Sequence, residues 1–168
     1  GGSLQLRGPV TYSSAEPLTL SGNGNAIAAG ALGSGGGNSS FSGPITLGGD
    51  ATIRNDNGTL YLYGGVNTAG NQVTFSTDGG NIEVQTGGFS GAGVVRKEGN
   101  NDLIINANAD AAMAGFDGEI VIAGGRLDAR GNNSLGTAAG ATTVLNGATL
   151  LVRDGKTLAD NVTITGNG

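Results

Sequence analysis

The sequence contains no cysteine and no histidine. Without cysteine there are no disulfide staples, no thiolate nucleophile and no thiolate-based zinc site. Without histidine, nucleophilic catalysis of the Ser-His-Asp kind is excluded as well. Tryptophan is also absent, and aromatic residues make up only 4% of the chain. Lysine and arginine total 8 against 13 acidic residues, giving a net charge of −5. Nucleic-acid binding calls for a basic stripe and stacking aromatics, so a nucleic-acid partner is not expected. Charged residues are 12% of the total, too few for a charged disordered tail. No apolar run approaches the roughly 18 residues of a membrane helix, so this segment is not expected to insert in a membrane. No basic-plus-apolar leader opens the sequence; the signal and anchor of a secreted parent are expected outside it.

Glycine dominates what is present, with 35 among 168 residues and only 3 prolines. No G-X-Y period appears, which excludes collagen. Hydrophobic residues are 37%, mostly Leu, Ile, Val and Ala in short runs. That amount fills a thin core rather than a thick globular one.

The short apolar runs fall into two interleaved families. The first begins at Thr59, Ile82, Leu103, Arg126 and Thr149, in steps of 23, 21, 23 and 23 residues. The second begins at Ala51, Val73, Val94, Glu119, Thr142 and Val162, in steps of 22, 21, 25, 23 and 20. Two strand families on one step of about 22 residues mark a repeat whose units cannot bury a core alone and must stack. The expected fold is all-β, a parallel β-helix (β-solenoid) of seven or eight rungs. Strands about 4.8 Å apart would make it a rod about 35 Å long. Glycine pairs such as Gly64-Gly65, Gly87-Gly88 and Gly124-Gly125 lie between the strands, as do Asn57-Gly58, Asp78-Gly79 and Asn146-Gly147. In an antiparallel protein such pairs signal hairpins. The repeating step favours the corners of a coil, with a hairpin sandwich as the alternative.

The chain reads as a single segment over 1–168. Residues 48–168 form the regular rungs and residues 1–47 less regular ones, with strands expected at Leu4–Leu6, Val10–Tyr12, Leu18–Leu20 and Ile45–Leu47. Gly33–Ser42 reads as a flexible loop by composition. Ala107–Phe116 is alanine-rich and reads as a long connection leaving the rod surface. Strand alternation points Leu60, Leu62, Ile82 and Val84 inward and Tyr61, Tyr63 and Glu83 outward. Val121, between Ile120 and Ile122, suggests a rung covered on both faces or poorly alternating.

From Phe41 onward the text FSGPITLGGDATIRNDNGTLYLYGGV, NIEVQTGGFSGAGVVRKEGNNDLIINANADAAMAGFDGEIVIAGGRLDA and NSLGTAAGATTVLNGATLLV resembles bacterial autotransporter passenger domains, including the passenger-associated transport repeat. The matching positions are Gly91, Gly93, Lys97, Gly99, Leu103–Ile105, Gly118 and Gly124-Gly125-Arg126-Leu127. Two departures stand out: Asn100-Asn101-Asp102, where Gly-Thr is more typical, and ANADAAMAG, where Asn-Tyr-Thr-Gly is usual. The resemblance implies a right-handed β-helix exported to the cell surface, with roles in adhesion, biofilm or surface display. A translocator barrel, with paired alternating strands and aromatic girdles, is not visible in the sequence.

Leu18–Gly24 (LTLSGNG) resembles Val162–Gly168 (VTITGNG), and joining Gly168 to Gly1 would regenerate the pattern that leads into Gly30-Ala31-Leu32. The unit is therefore expected to belong to a tandem array or to stack end to end on its own copies. Unpaired strand edges at a solenoid's ends recruit more strands.

Candidate sites are sparse. Asp102, Asp128 and Asp154 recur every 26 residues and could stack as the carboxylate pair of glycoside cleavage. They read instead as solvated corner residues. Gly48-Gly49-Asp50 and Gly79-Gly80-Asn81 are fragments of a calcium-binding nonapeptide and read as turns. Arg96-Lys97-Glu98 reads as a solvated outer run. The Asn-x-Ser/Thr sequons at Asn38, Asn57 and Asn161 read as chance products of composition, and Arg130-Gly131 is followed by Asn132, not Asp. No catalytic, cofactor-binding or metal-binding residue is assigned. The expected role is a non-enzymatic structural module at the bacterial cell surface or outside the cell, with neighbouring copies as partners. The alternative is an adhesin gripping a glycan or matrix protein through a lateral face or through the Gly33–Ser42 or Ala107–Phe116 loop, with Tyr61, Tyr63 and Phe89 as the few side chains suited to a patch.

Overall fold

A computed structural model of the chain describes residues 1–166 as a parallel β-solenoid. The strands are β1 (Leu4–Arg7), β2 (Thr11–Tyr12), β3 (Leu18–Gly22), β4 (Leu32–Gly35), β5 (Ser39–Phe41), β6 (Ile45–Asn55), β7 (Gly58–Leu62), β8 (Val66–Asn67) and β9 (Gln72–Ser76). They continue with β10 (Gly80–Val84), β11 (Phe89–Ser90), β12 (Val94–Glu98), β13 (Asp102–Ile105), β14 (Glu119–Ile122), β15 (Arg126–Ala129), β16 (Ala141–Val144), β17 (Thr149–Val152) and β18 (Val162–Ile164). Among the described residues, helical structure is confined to a 3-10 turn at Ala107–Ala109 and the single turn α1 at Asp110–Met113.

The coil has three faces. Face 1 holds β3, the first half of β6, β8 and β11. Face 2 stacks β1, β4, the second half of β6, β9, β12, β14, β16 and β18. Face 3 stacks β2, β5, β7, β10, β13, β15 and β17. Every ladder is parallel, and the one antiparallel contact among the described residues is an isolated bridge between Gly24 and Ala29. The hairpin sandwich is thereby excluded. Face 3 has seven levels enclosing about six turns of roughly 22 residues, and face 2 has eight levels, so the expected seven or eight rungs are levels rather than complete turns.

The register repeats what the spacing predicted. Leu60, Ile82, Leu103, Leu127 and Leu150 pair in one ladder, in steps of 22, 21, 24 and 23 residues. Leu60, Leu62, Ile82 and Val84 are buried, as alternation requires. Val121 is half-buried between the buried Ile120 and Ile122, so that level alternates normally. Corners depend on glycine where neighbouring levels touch. Gly65 has φ of 80°, and a Cβ there would sit 2.4 Å from the Gly87 carbonyl oxygen.

Three expectations are corrected. Gly33–Ser42 is not a projecting loop. It holds β4, paired on both sides by β1 and β6, and β5, paired by β2 and β7. Its glycines make room rather than flexibility: Gln5 lies across Gly33, where a Cβ would meet its amide at 2.3 Å. Nor does Ala107–Phe116 leave the surface, because Ala109, Met113 and Phe116 are fully buried. The segment replaces a face-1 strand and seals the core, and its apolar positions follow the 3–4 residue spacing of a helical turn. Phe89 is not a surface residue either. It points inward between Phe75 and Phe116, with ring centroids 5.6 and 5.8 Å away.

Candidate functional site

The three aspartates do not converge. Asp102 pairs in register with Arg126, Asp128 lies between Ile104 and Leu151, and Asp154 follows the end of β17. Their spacing of 26 exceeds the local steps of 24 and 23 residues, so each successive carboxylate slides along its strand instead of stacking. Asp102 accepts hydrogen bonds from the Arg126 guanidinium. Asp128 is not the solvated residue expected from the sequence: it is fully buried, although its strand position faces outward. The Arg130 and Arg153 side chains cover it. Arg153 donates from Nε at 2.9 Å and from its terminal nitrogen at 2.6 Å, and Arg130 Nε donates at 2.9 Å.

The network continues down face 3. Glu83 Oε1 accepts from Gln85 Nε2 at 2.8 Å and from Asn106 Nδ2 at 2.7 Å, with an Arg130 nitrogen 3.9 Å away. Glu83 therefore points outward as expected, yet its neighbours bury it. One level below, Tyr61 and Tyr63 stand side by side with centroids 6.5 Å apart. Every carboxylate in this network is matched by cations and amides, which suits a structural ladder that ties levels together.

Burial alone would raise the Asp128 pKa, but the hydrogen bonds and charges of Arg153 and Arg130 hold it below the usual carboxylate range. Its folded value lies below its unfolded one, so its stabilising contribution is present above the unfolded value and lost as pH falls through the folded one. Asp128→Asn should therefore flatten the acid limb of a stability-against-pH curve. Chemical denaturation from pH 7 downward measures this; an unchanged acid limb would show that the arginines do not tie Asp128 down.

Arg96-Lys97-Glu98 also differs from expectation. Arg96 and Glu98 face outward and pair with each other at 2.5 Å. Lys97 faces inward and is completely buried. It belongs to the ladder Leu4, Leu32, Ile53, Phe75, Lys97, Ile122, Val144, Ile164, of which it is the only charged member. At the corner its Nζ donates to the carbonyls of Glu98, Gly99 and Gly124 at 2.8, 2.9 and 2.9 Å. The signal was available: Lys97 follows Val95 with inward parity, and Phe75 holds the same place one turn earlier.

The nonapeptide fragments are not the turns expected: Gly48-Gly49-Asp50 lies within β6, between its face-1 and face-2 halves, and Gly80-Asn81 open β10. Asp50 Oδ1 accepts from the Gln72 backbone N–H at 2.8 Å, and Asn81 Oδ1 from that of Asp102 at 3.0 Å. Asn38, in one of the sequons, does the same for Thr59 at 2.9 Å. Among the described residues no three His, Cys, Asp or Glu side chains gather to hold a metal ion. No helix among them is long and apolar enough to cross a membrane.

The remaining candidate site is the pair of coil ends. At one end, among the described residues, β17 pairs only with β15 and β18 only with β16. Their apolar side chains are uncovered: Val152 is 40% exposed, Val162 42% and Ile164 77%. At the other end, among the described residues, β1, β2 and β3 each pair on one edge, and Leu4, Val10 and Leu18 are half-buried. A cleft opens there between β1 and β3, lined by Ser3, Leu4, Leu18, Leu20 and Ala31. The likeness between Leu18–Gly24 and Val162–Gly168 runs partly onto residues 167–168, outside the described residues. Its described halves occupy different faces: Leu18 pairs with Ile45 on face 1, and Val162 with Thr142 on face 2.

No family model, curated protein or solved structure matches this chain.

Proposed function

We propose that this chain is a non-enzymatic structural β-solenoid module that stacks end to end with neighbouring copies, as part of a long bacterial surface protein or filament. The observation that carries the reading is the state of the two ends. Among the described residues, each presents a parallel strand edge with no partner beside apolar side chains of a kind that elsewhere in the coil are fully buried. Backbone groups at such edges pair with any strand of matching register, and covering the apolar positions stabilises the contact by about 25 cal/mol for each Å² removed from water. The surface location and export of the parent rest on the resemblance to passenger domains. Negative-stain electron microscopy and sedimentation of the purified chain across a concentration series test the stacking. Rods longer than one unit, growing with concentration, are expected; a strict monomer at the highest concentration would overturn it.

The adhesin reading keeps one supporting observation, the Tyr61–Tyr63 pair on face 3, where Tyr63 is 43% exposed. Both loops that might have carried a ligand lie within the body of the coil. Glycan binding that survives in the native chain and is lost in a Tyr61→Ala, Tyr63→Ala variant would support this second reading.

A further inference from the structure

The two ends of the coil fit one another only in a rotated register. The chain winds from face 1 to face 2 to face 3 at every level. At the upper end the uppermost strand among the described residues is β18 on face 2, and the next place along the winding is on face 3, above β17. At the lower end the coil starts on face 2 with β1, followed by β2 on face 3 and β3 on face 1. If a second copy is set on top with its faces aligned, β1 lies on β18. One strand place then stays empty above β17 and another on face 1, each about 4.8 Å deep.

We propose that a second copy of this chain docks turned by one face, so that its β1 pairs with β17 and its β3 pairs with β18. The inference rests on the stacking reading above and adds the register of the joint. Inward positions then meet inward positions: Leu4 lies on Leu150, Leu6 on Val152, Leu18 on Val162 and Leu20 on Ile164. Leu150 and Val152 continue the ladders of the buried Leu127 and Ala129, and Val162 and Ile164 those of Thr142 and Val144. One outward pair matches and one opposes the joint. Thr19 lies on Thr163, repeating the Thr52–Thr74 pairing inside the coil. Arg7 faces Arg153, a like-charge pair only partly relieved by Asp128, whose single charge Arg153 shares with Arg130.

Two independent features agree with this register. The cleft beside Ser3 and Leu4, beneath Leu18 and Leu20, is the place that β18 of the neighbour fills. The likeness of LTLS to VTIT, which occupies different faces within one copy, becomes like upon like across the joint. Ladders of similar side chains are the unit of stabilisation in stacked strands.

The natural absence of cysteine makes the register directly readable. One preparation carries Thr19→Cys and a second Thr163→Cys; they are mixed at a concentration where sedimentation shows association and treated with a short bis-maleimide. A covalent dimer linked through these two positions is expected, as is one between Gln5→Cys and Leu151→Cys. The Thr19–Thr163 product should be lost when Ile164→Asp is added to the second preparation. This residue lies exposed at the coil end, so the change leaves the coil itself folded. The pair Ser3→Cys with Thr163→Cys reports the unrotated register. Its cross-linking in place of Thr19–Thr163 overturns the rotation while leaving stacking intact, and association with neither product also overturns the rotation. Absence of association at any concentration overturns the stacking reading itself.

Discussion

Phe89→Ala is expected to destabilise the coil by about 3–5 kcal/mol, the usual range for deleting a buried aromatic ring. The ring is wholly buried and spans two neighbouring levels, contacting Phe75 on one side and Phe116 on the other. Its removal leaves a cavity walled by paired strands on faces 2 and 3 and by β11 and the Ala107–Phe116 segment on face 1, which limits its collapse. Domains of this size are stable by about 5–15 kcal/mol, so the loss is a large fraction of the total. Because each level contacts only its neighbours, the damage should be concentrated around β9, β11 and α1. Urea denaturation measures the size of the effect, and amide hydrogen exchange its location. A loss below about 1 kcal/mol, or exchange protection falling evenly along the rod, would contradict the role assigned to this ring.

The second large effect is expected at Lys97 and depends on pH. Burial pushes this lysine down to about 8, against the pull of Asp102, Asp78 and Glu98 in the other direction. The folded value lies below the unfolded one of about 10.4, so between those values the unfolded chain binds more protons. Stability of the native chain should therefore rise as pH climbs from about 8 to 10.4. Lys97→Met removes the titrating group and with it this rise. It also leaves the Gly99 and Gly124 carbonyls at a buried corner without their donor, at about 1–3 kcal/mol each. At pH 7 part of that cost is offset, because an ammonium no longer has to be kept from water. The substitution should accordingly cost more at pH 10 than at pH 7. A cost that stays constant across this range would show that Lys97 does not titrate inside the coil.

The coil was legible in the sequence because one physical rule repeats along it. Each level must return to the same place with the same parity, so Leu60, Ile82, Leu103, Leu127 and Leu150 recur at nearly equal steps. Composition misled where it stood in for position. The glycines of Gly33–Ser42 were read as flexibility, whereas Gln5 and Arg7 of the level below take up the room they leave. By charge alone, Lys97 and Asp128 belong in solvent. Lys97 has inward parity and a cage of carbonyls, and Asp128 is covered by arginines two residues and one turn away. Such long-range cover depends on register, which fixes the neighbours of a side chain only once the steps are exact to the residue. Phe89 and the Ala107–Phe116 segment were misplaced for a related reason. Face 1 is built from strands as short as two residues, too brief for alternation to show.

The pitch of the coil bears on what such a body can span. Some 22 residues advance the rod by one strand spacing, about 0.2 Å for each residue, whereas an α-helix gains 1.5 Å. Extra chain is therefore a slow route to height. The polypeptide goes instead into girth: two walls of stacked strands and a third made partly of two-residue strands and strandless segments.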